Sequence, residues 1–353
     1  MNKSERPLVT FGLIAYNQER FIREAVEGAL AQTYSPLEII LSDDCSTDRT
    51  FEIMKGLADG YEGSHRIKLR RNEKNDGICS HINRVWCESE GQWYFNAGGD
   101  DISHPDRVAD VMRCVGSNPE IKFVQTYLKL IDERGSTIGT NTHGEACAQF
   151  EKSSLARWGL KERLANKSPK THGACLAYTR ELFDRFPPLP EGCIFEDNVL
   201  NWRGELLGTG AILRKELVSF RVHASQMTHS SGGSGLKIFD KKRLMTIRDG
   251  VCTTYQNIMD LKTAESMGIH EADLIERARL YMKRRYRYFS LRESAIAGKW
   301  PSRLLPLMQM LLMGSGFAPF SRDNLFRSLL PDQLYFILKE GLKERSHERK
   351  IQR

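Results

Sequence analysis

Two pairs of adjacent aspartates are the residues of this sequence best suited to chemistry. Asp43 and Asp44 follow one run of strand-forming residues, and Asp100 and Asp101 follow another. Adjacent carboxylates repel each other unless a cation or hydrogen-bond donors offset their charge. Carboxylates at strand ends can hold Mg²⁺ or Mn²⁺, which bridges the phosphates of a substrate. The pairs therefore predict a site for a diphosphate that arrives with its metal ion.

Glycine-rich loops, which offer another way to hold phosphate, are missing from the sequence. No Gly-x-Gly-x-x-Gly follows the first predicted strand, and no Gly-x-x-x-x-Gly-Lys-Ser/Thr occurs. Carboxylates with a bound cation are therefore the favoured means of holding a diphosphate.

Strand and helix patterns alternate over the first part of the chain. Apolar runs of strand length lie at 8–15, 37–41, 67–69, 93–95 and 121–127, and apolar stripes of helical period lie between them. This alternation indicates an α/β fold with a doubly wound, mostly parallel sheet flanked by helices. Ligands bind beyond the carboxyl ends of the strands in such sheets, so both aspartate pairs should reach one edge.

The C-terminal part of the chain has a different pattern. A Ser/Gly-rich hinge at 230–235 precedes mostly helical sequence, which predicts a domain at 1–230 and a helical, basic region at 231–353. The stretch 304–320 carries no charge over 17 residues, at the lower edge of a membrane span. Its prolines and glycines favour a buried helix pair or an interfacial hairpin instead.

Charge and cysteine usage narrow the class of protein. The net charge is +7, and residues 236–353 hold 23 Lys and Arg against 13 Asp and Glu, so the part before them is slightly acidic. That distribution argues against a nucleic-acid partner and makes the C-terminal region the candidate for peripheral contact with an anionic membrane. The eight cysteines include no Cys-x-x-Cys pair, and Met1 to Pro7 is polar, without a secretory signal pattern. These features favour a cytoplasmic protein, at the inner face of the plasma membrane if the tail binds lipid.

Four segments, taken in order and spacing, resemble the inverting family 2 glycosyltransferases, which have the GT-A fold. They read VTFGLIAYN at 9–17, AQTY at 31–34, SDDCSTD at 42–48 and GGDDISHP at 98–105, followed by Arg107. The match runs from about Pro7 to His223. The resemblance implies transfer of a sugar from a nucleotide diphosphate sugar, most often a UDP-sugar, in the style of bacterial surface-polysaccharide or O-antigen assembly.

The resemblance also implies roles for the strand-end residues. Those expected to bind the nucleotide are Ala15, Tyr16, Glu19, Asp43, Asp44, Asn75, Gly77 and Asp100. Asp101 is expected to ligate Mn²⁺ or Mg²⁺ directly, with Asp100 on the ribose or the metal and His223 as a third ligand. Arg221 is expected to neutralise the charge of the leaving diphosphate. Gly98 and Gly99 depart from the pattern, because many members place a further acid there.

A third acidic pair supplies the candidate catalytic base. Glu196 and Asp197 open a predicted helix at 196–207 and resemble the family's Glu-Asp motif. Direct displacement at an anomeric carbon needs a carboxylate that takes the proton of the acceptor hydroxyl. Asp197 is expected to be that base, with Glu196 as support, and a helix N-terminus would keep it ionised. The alternative is a plain helix cap. His172 is expected to be a core residue or an acceptor contact.

The predicted function is metal-assisted, inverting transfer of a sugar to a saccharide or lipid-linked saccharide acceptor. Two other classes stay open: a non-catalytic scaffold that binds a nucleotide sugar, and a sugar-phosphate nucleotidyltransferase, although no basic glycine-rich activation loop lies near the N-terminus. The sequence leaves the sugar, the acceptor and the oligomeric state open, a homo-oligomer included.

Overall fold

The computed structural model describes residues 6–141, 155–226, 236–297 and 305, with the backbone alone at 236–243 and 295–297. Its described strands form one sheet in the order β3-β2-β1-β4-β9-β6-β10-β5, with β7 beside β6 and β8 beside β10. The strands are β1 Val9–Ala15, β2 Leu37–Asp43, β3 Arg66–Arg71, β4 Trp93–Gly98, β5 Ile102–Ser103, β6 Ile121–Ile131, β7 Thr137–Asn141, β8 Leu155–Gly159, β9 Leu176–Thr179 and β10 Thr209–Arg221.

The N-terminal half of the sheet is parallel, as the alternating pattern predicts. β1 lies between β2 and β4, and β3 pairs with β2 at the edge. All residues of β1 and β2 are buried, which matches their nearly continuous apolar sequence. The edge strand β3 carries Arg and Lys side chains, which protect an edge from pairing with another chain.

The other half of the sheet is mixed. β9 inserts between β4 and β6 and is antiparallel to both, whereas β10 runs parallel to β6. The strand expected at 217–222 is the end of a longer strand, because β10 begins at Thr209. The sequence predicts a mostly parallel sheet, and most of the antiparallel pairs involve β7, β8 and β9, which lie between 131 and 190, where the sequence pattern is loose.

The first three connecting helices alternate with strands as predicted. The helices are α1 Ile22–Leu30, α2 Thr50–Asp59, α3 Ile78–Glu88, α4 Arg107–Val115, α5 Leu160–Leu164, α6 Glu181–Asp184 and α7 Glu196–Leu207, and α8 Leu236–Ser266 and α9 Ala272–Ala297 follow. In α1 the buried Ile22, Ala25, Val26 and Ala29 recur at helical spacing and pack in the core with Phe11. Each large apolar side chain buried this way contributes roughly 1.5–3 kcal/mol.

The chain divides into two compact units, Met1–Ser231 with Tyr255–Leu280, and Gly232–Thr254 with Tyr281–Arg353. The first unit thus takes in a stretch of the C-terminal region: Trp202 donates to the Asn257 carbonyl at 3.0 Å, and Arg203 pairs with Asp260. No helix among the described residues is long and apolar enough to cross a membrane. The hinge at 230–235 lies outside the described residues, as does 304–320 apart from Leu305.

Candidate functional site

The ends of three neighbouring parallel strands bring the predicted loops together. Ala15, the last residue of β1, is level with Asp43 at the end of β2, and Ile14 is level with Gly98 at the end of β4. The amide of Asp44 donates to the Ala15 carbonyl at 2.9 Å. The two aspartate pairs therefore follow adjacent strands at one edge, where ligands of doubly wound sheets bind.

The loop after β1 is fastened to the loop after β2. The Asn17 amide donates to Ser46 Oγ at 2.8 Å, and the Thr47 amide donates back to Asn17 Oδ1 at 2.8 Å. The amide of Glu19 donates to Asp48 Oδ2 at 3.0 Å. These bonds leave the ring of Tyr16 44% exposed at the edge, where it can contact a ligand.

Asp43 and Asp44 are both buried, and each carboxylate is held by a different set of donors. Asp43 accepts from the Ser46 amide at 2.9 Å and from the Ser46 hydroxyl, and Arg71 Nε lies 3.1 Å from it. Asp44 accepts from Asn72 Nδ2 at 2.5 Å. Donors of this kind offset the repulsion between adjacent carboxylates.

Asp44 also fixes the loop that precedes α3. Its oxygens accept from the amides of Asp76 and Gly77 at 3.0 and 3.1 Å, and the Gly77 amide also lies 3.1 Å from Asn75 Oδ1. Gly77 has a φ of 78°, which favours glycine. The structure thus places Asn75 and Gly77, both exposed, beside Asp44.

Beneath Asp44 lies a buried polar network that the sequence motifs do not predict. His81 of α3 is 2% exposed and its Nε2 contacts Ser42 Oγ, to which Arg70 Nη1 also donates at 2.6 Å. Arg70 Nη2 donates to Asn72 Oδ1 at 2.8 Å. Burial lowers the pKa of His81 to about 4, so the ring is neutral at neutral pH. The one signal that the sequence offers for it is a histidine inside the apolar helical stripe, three residues after Ile78 and directly before Ile82.

At the end of β4, the carboxylate facing outward is Asp100. Its Oδ2 lies 3.1 Å from His223 Nε2, and its side chain keeps 17% of its exposure. The other ring nitrogen of His223, Nδ1, is 2.8 Å from Ser225 Oγ, and the ring packs at 4.8 Å from that of Phe21. A fixed second nitrogen orients the first one toward a metal ion.

Asp101 lies deeper than Asp100 and faces protein. It is 7% exposed and accepts from the Arg221 amide at 2.9 Å, which joins the end of β4 to the end of β10. Burial raises the pKa of Asp101 well above its usual range, and the charge of Asp100 raises it further. Direct ligation, which the resemblance assigns to Asp101, suits the more exposed Asp100 better in this arrangement.

Arg221 is also engaged by the protein. Its guanidinium bonds the carbonyls of Asp100, Asp132 and Glu133 at 3.1–3.3 Å and the Glu24 carboxylate at 2.8 Å, and its side chain is 1% exposed. A buried cation with these partners braces the Asp100–Asp101 turn. The geometry does not support the leaving-group role expected for it, because no part of the guanidinium faces the strand-end edge unpaired.

Close packing explains the glycines that depart from the family pattern. A Cβ at Gly98 would lie 2.8 Å from Asp100 Oδ1, and one at Gly99 would lie 2.3 Å from Gln18 Oε1 and 2.9 Å from the Ala15 Cβ. An additional acidic side chain has no room at either position as the loops now lie. The strand-end edge therefore carries fewer carboxylates than the family resemblance implies.

The third acidic pair opens α7 as predicted, but its two members face different surroundings. Glu196 is 5% exposed and accepts from Asn96 Nδ2 of β4 at 3.1 Å, whereas Asp197 is half-buried. Burial raises the pKa of the Cys175 thiol to about 12, and the charges of Asp197 and Asp101 both act on that thiol. Asp197 and Asp101 therefore both lie within electrostatic reach of Cys175.

A fit for Mn²⁺ or Mg²⁺ rests on two side chains. No three His, Cys, Asp or Glu side chains converge in the described part of the chain, so Asp100 and His223 form the donor set. A carboxylate oxygen and an imidazole nitrogen suit Mn²⁺, and Mg²⁺ is commonly held by one or two carboxylates with substrate phosphates completing its shell. The residues present therefore fit a cation that binds together with a diphosphate.

Comparison with known proteins gives a family match. The pattern of Glycosyl transferase family 2 matches residues 10–186, half of the chain. An uncharacterized glycosyltransferase of Haemophilus influenzae is 32% identical over 129 residues, 36% of this chain and 39% of that protein. The chain spans less than half the length of the first curated relatives it matches.

Solved structures with a similar fold include two that are bound to nucleotide sugars. One is S. aureus TarS 1–349 in complex with UDP-GlcNAc, with a TM-score of 0.57 and 15% identity over 91% of this chain and 81% of that one. The other is the mannosyltransferase PcManGT from Pyrobaculum calidifontis in complex with GDP-Man and Mn²⁺, with a TM-score of 0.52 and 16% identity over 92% and 87%. These likenesses confirm the predicted α/β, GT-A-like fold. The family pattern spans half of the sequence and includes the strands whose ends carry the two aspartate pairs. The chain therefore belongs to glycosyl transferase family 2.

Proposed function

We propose that this chain transfers a sugar, with inversion, from a nucleotide diphosphate sugar to a saccharide or lipid-linked saccharide. The observation that carries the proposal is the Asp100–His223 pair, 3.1 Å apart, on the same strand-end edge as Asp44 and the exposed Tyr16. Structural neighbours that bind UDP-GlcNAc or GDP-Man support a donor of this class, and UDP is the nucleotide we favour.

Asp100 and His223 would hold Mn²⁺ or Mg²⁺, which would supply positive charge to the diphosphate as it leaves. Ser225 and Phe21 keep the His223 ring in place for this. Asp44 holds the loop 75–77 through its carboxylate and bonds the Ala15 carbonyl through its amide, so the nucleotide would bind between that loop and the loop after β1. The protein's part in donor binding is therefore to preorient both ends of the nucleoside diphosphate.

Asp197 would take the proton of the acceptor hydroxyl as that oxygen attacks the anomeric carbon. It lies in the first turn of the twelve-residue helix α7, and the positive end of the helix dipole favours its ionised form. Glu196 would support it from the buried side. Attack opposite the departing diphosphate inverts the anomeric configuration.

We further propose peripheral contact with an anionic leaflet through α9. Lys283, Arg284 and Arg287 are exposed there beside Tyr286, which is 36% exposed. Each such cation near an anionic surface contributes about 1 kcal/mol. Sedimentation with vesicles containing an anionic lipid, compared with neutral vesicles, tests this; equal binding to both would contradict it.

A thermal-shift panel of UDP, GDP, dTDP and CMP, each with and without Mn²⁺, tests the donor site. Ligand at about 100 times its Kd stabilises the fold by near 2.7 kcal/mol. One nucleotide that raises the melting temperature only with metal would support the site and name the donor class. If none does so, the strand-end edge is not a diphosphate site.

Asp197→Asn separates the proposed enzyme from a scaffold. We expect turnover to fall by about 10²–10⁴-fold with nucleotide binding kept, because the acceptor loses its base. Asp184→Asn, at an exposed carboxylate paired with Arg180 on α6, is the matched control and should be as active as the wild type. Unchanged turnover in Asp197→Asn would refute the assigned base. Release of pyrophosphate from a nucleoside triphosphate and a sugar phosphate would instead establish a nucleotidyltransferase.

A further inference from the structure

We propose that Asn96 is a positioning residue: through Glu196 it fixes the first turn of α7 against β4, the strand that leads to Asp100. The inference rests on the proposed function, because it assumes that Asp197 is the base. It adds a residue outside the acidic motifs to the machinery of the site.

The contact is direct and buried. Asn96 lies within β4, is 5% exposed, and donates from Nδ2 to Glu196 Oε1 at 3.1 Å. Glu196 begins α7 and is itself 5% exposed, so the bond joins sheet to helix one residue before Asp197. A charge-assisted hydrogen bond is roughly twice as strong as a neutral one and fixes the direction of the carboxylate.

The other amide atom of Asn96 argues against a purely structural role. Its Oδ1 is buried and has no hydrogen-bond partner among the described residues. An unpaired buried acceptor costs about 1–3 kcal/mol, which an apolar side chain at this strand position would avoid. The amide is thus explained by the one bond it makes, which is to Glu196.

The backbone of Asn96 connects to the turn after β4. Its carbonyl accepts from Arg107 Nη2 at 2.9 Å, and Arg107 Nη1 donates to Ser103 Oγ, two residues beyond Asp101, at 2.9 Å. Arg107 is 1% exposed, and burial lowers its pKa to about 10. Asn96 is therefore the residue through which the base helix and the Asp100–Asp101 turn share one rigid support.

Gly173 confines the same carboxylate from another side. A Cβ at Gly173 would lie 2.6 Å from Glu196 Oε1, so Gly173→Ala would push that oxygen away. This gives a second way to move Glu196 that does not touch Asn96. Displacement of a catalytic group by about 1 Å can cost 10²-fold in rate.

The experiment measures release of nucleotide from UDP-GlcNAc or GDP-Man, whichever raises the melting temperature, with water as acceptor. Water attacks the anomeric carbon, its proton passes to Asp197, and the bond from that carbon to the diphosphate oxygen breaks to give free sugar and nucleotide.

We expect Asn96→Ala and Gly173→Ala to lower kcat about 10- to 100-fold. The KM for the donor should stay within about two-fold, because the donor site is unaltered. Asn118→Ala, which removes a bond to the Cys114 carbonyl at 2.9 Å, is the control and should keep wild-type kcat.

A pH profile of Asn96→Asp supplies a readout that a structural role would not move. The new carboxyl would lie about 3.1 Å from Glu196, with Asp197 and the phenols of Tyr94 and Tyr178 as the other titratable groups acting there. Two carboxyls at this distance share a proton. Activity relative to wild type should therefore rise as the pH is lowered.

The result that overturns the inference is kcat within two-fold of wild type for both Asn96→Ala and Gly173→Ala while Asp197→Asn is inactive. A flat pH dependence of the Asn96→Asp to wild-type ratio would also count against it. Activity retained in Asp197→Asn is a separate result: it removes the assigned base and with it the inference, while the transfer activity itself stands.

Discussion

Acid should destabilise this fold through His81, a buried ring beneath the nucleotide loop. The ring contacts Ser42 Oγ, which also accepts from Arg70, so protonation would place a second cation beside a guanidinium. Burial is the main cause of the pKa near 4. The carboxylates of Asp44 and Asp76 raise the pKa of His81, and the guanidiniums of Arg70 and Arg84 lower it.

The magnitude follows from the two pKa values of His81, 6.5 in the unfolded chain and about 4 in the fold. Between them the unfolded state binds more protons, so the free energy of unfolding falls as the pH falls. The contribution is fully present above pH 6.5 and is lost toward pH 4. At about 1.4 kcal/mol per pH unit, the whole loss is about 3 kcal/mol, of which about 2 kcal/mol is gone at pH 5.

The assay is urea unfolding at pH 7.5 and pH 5 for the wild type, His81→Gln and His104→Gln. Glutamine keeps a polar group near Ser42 but does not titrate, so His81→Gln should lose about 2 kcal/mol less than the wild type between the two pH values. His104 is exposed, and its variant should follow the wild type. Equal losses in His81→Gln and wild type would show that the ring is not held neutral by the fold.

Three further substitutions test other parts of the first unit. Asp100→Asn should abolish the Mn²⁺-dependent part of the nucleotide melting shift, whereas Asp106→Asn, at an exposed carboxylate on the N-terminal side of α4, should retain it. Asp260→Asn leaves the buried guanidinium of Arg203 without its counter-ion and should cost about 3–5 kcal/mol in urea unfolding, while the exposed Asp273→Asn should change little. Gly99→Ala should cost about 1–3 kcal/mol because its Cβ meets Gln18, and Gly56→Ala, with open space around it in α2, should be neutral or stabilising; equal effects would contradict the packing argument.

Much of the site follows from local sequence patterns. Apolar runs alternating with helical stripes predict β1 to β4 and their helices, and parallel strands then bring the loops after Ala15, Asp43 and Gly98 to one edge. The start of α7 at Glu196 was also predictable, from an acidic first turn before an apolar helix. These features depend on neighbours within a few residues, which is what a sequence displays.

The tertiary structure alone decides which member of the Asp100–Asp101 pair stays partly exposed. Asp100 lies outward beside His223, whereas Asp101 is buried against the amide of Arg221, a residue 120 positions away. The tertiary structure also decides that carbonyls and Glu24 engage the guanidinium of Arg221, and that β9 enters the sheet antiparallel to its neighbours. Burial and long-range hydrogen bonds arise only when distant segments meet, so of two adjacent aspartates one stays partly exposed beside His223 and the other becomes a buried brace.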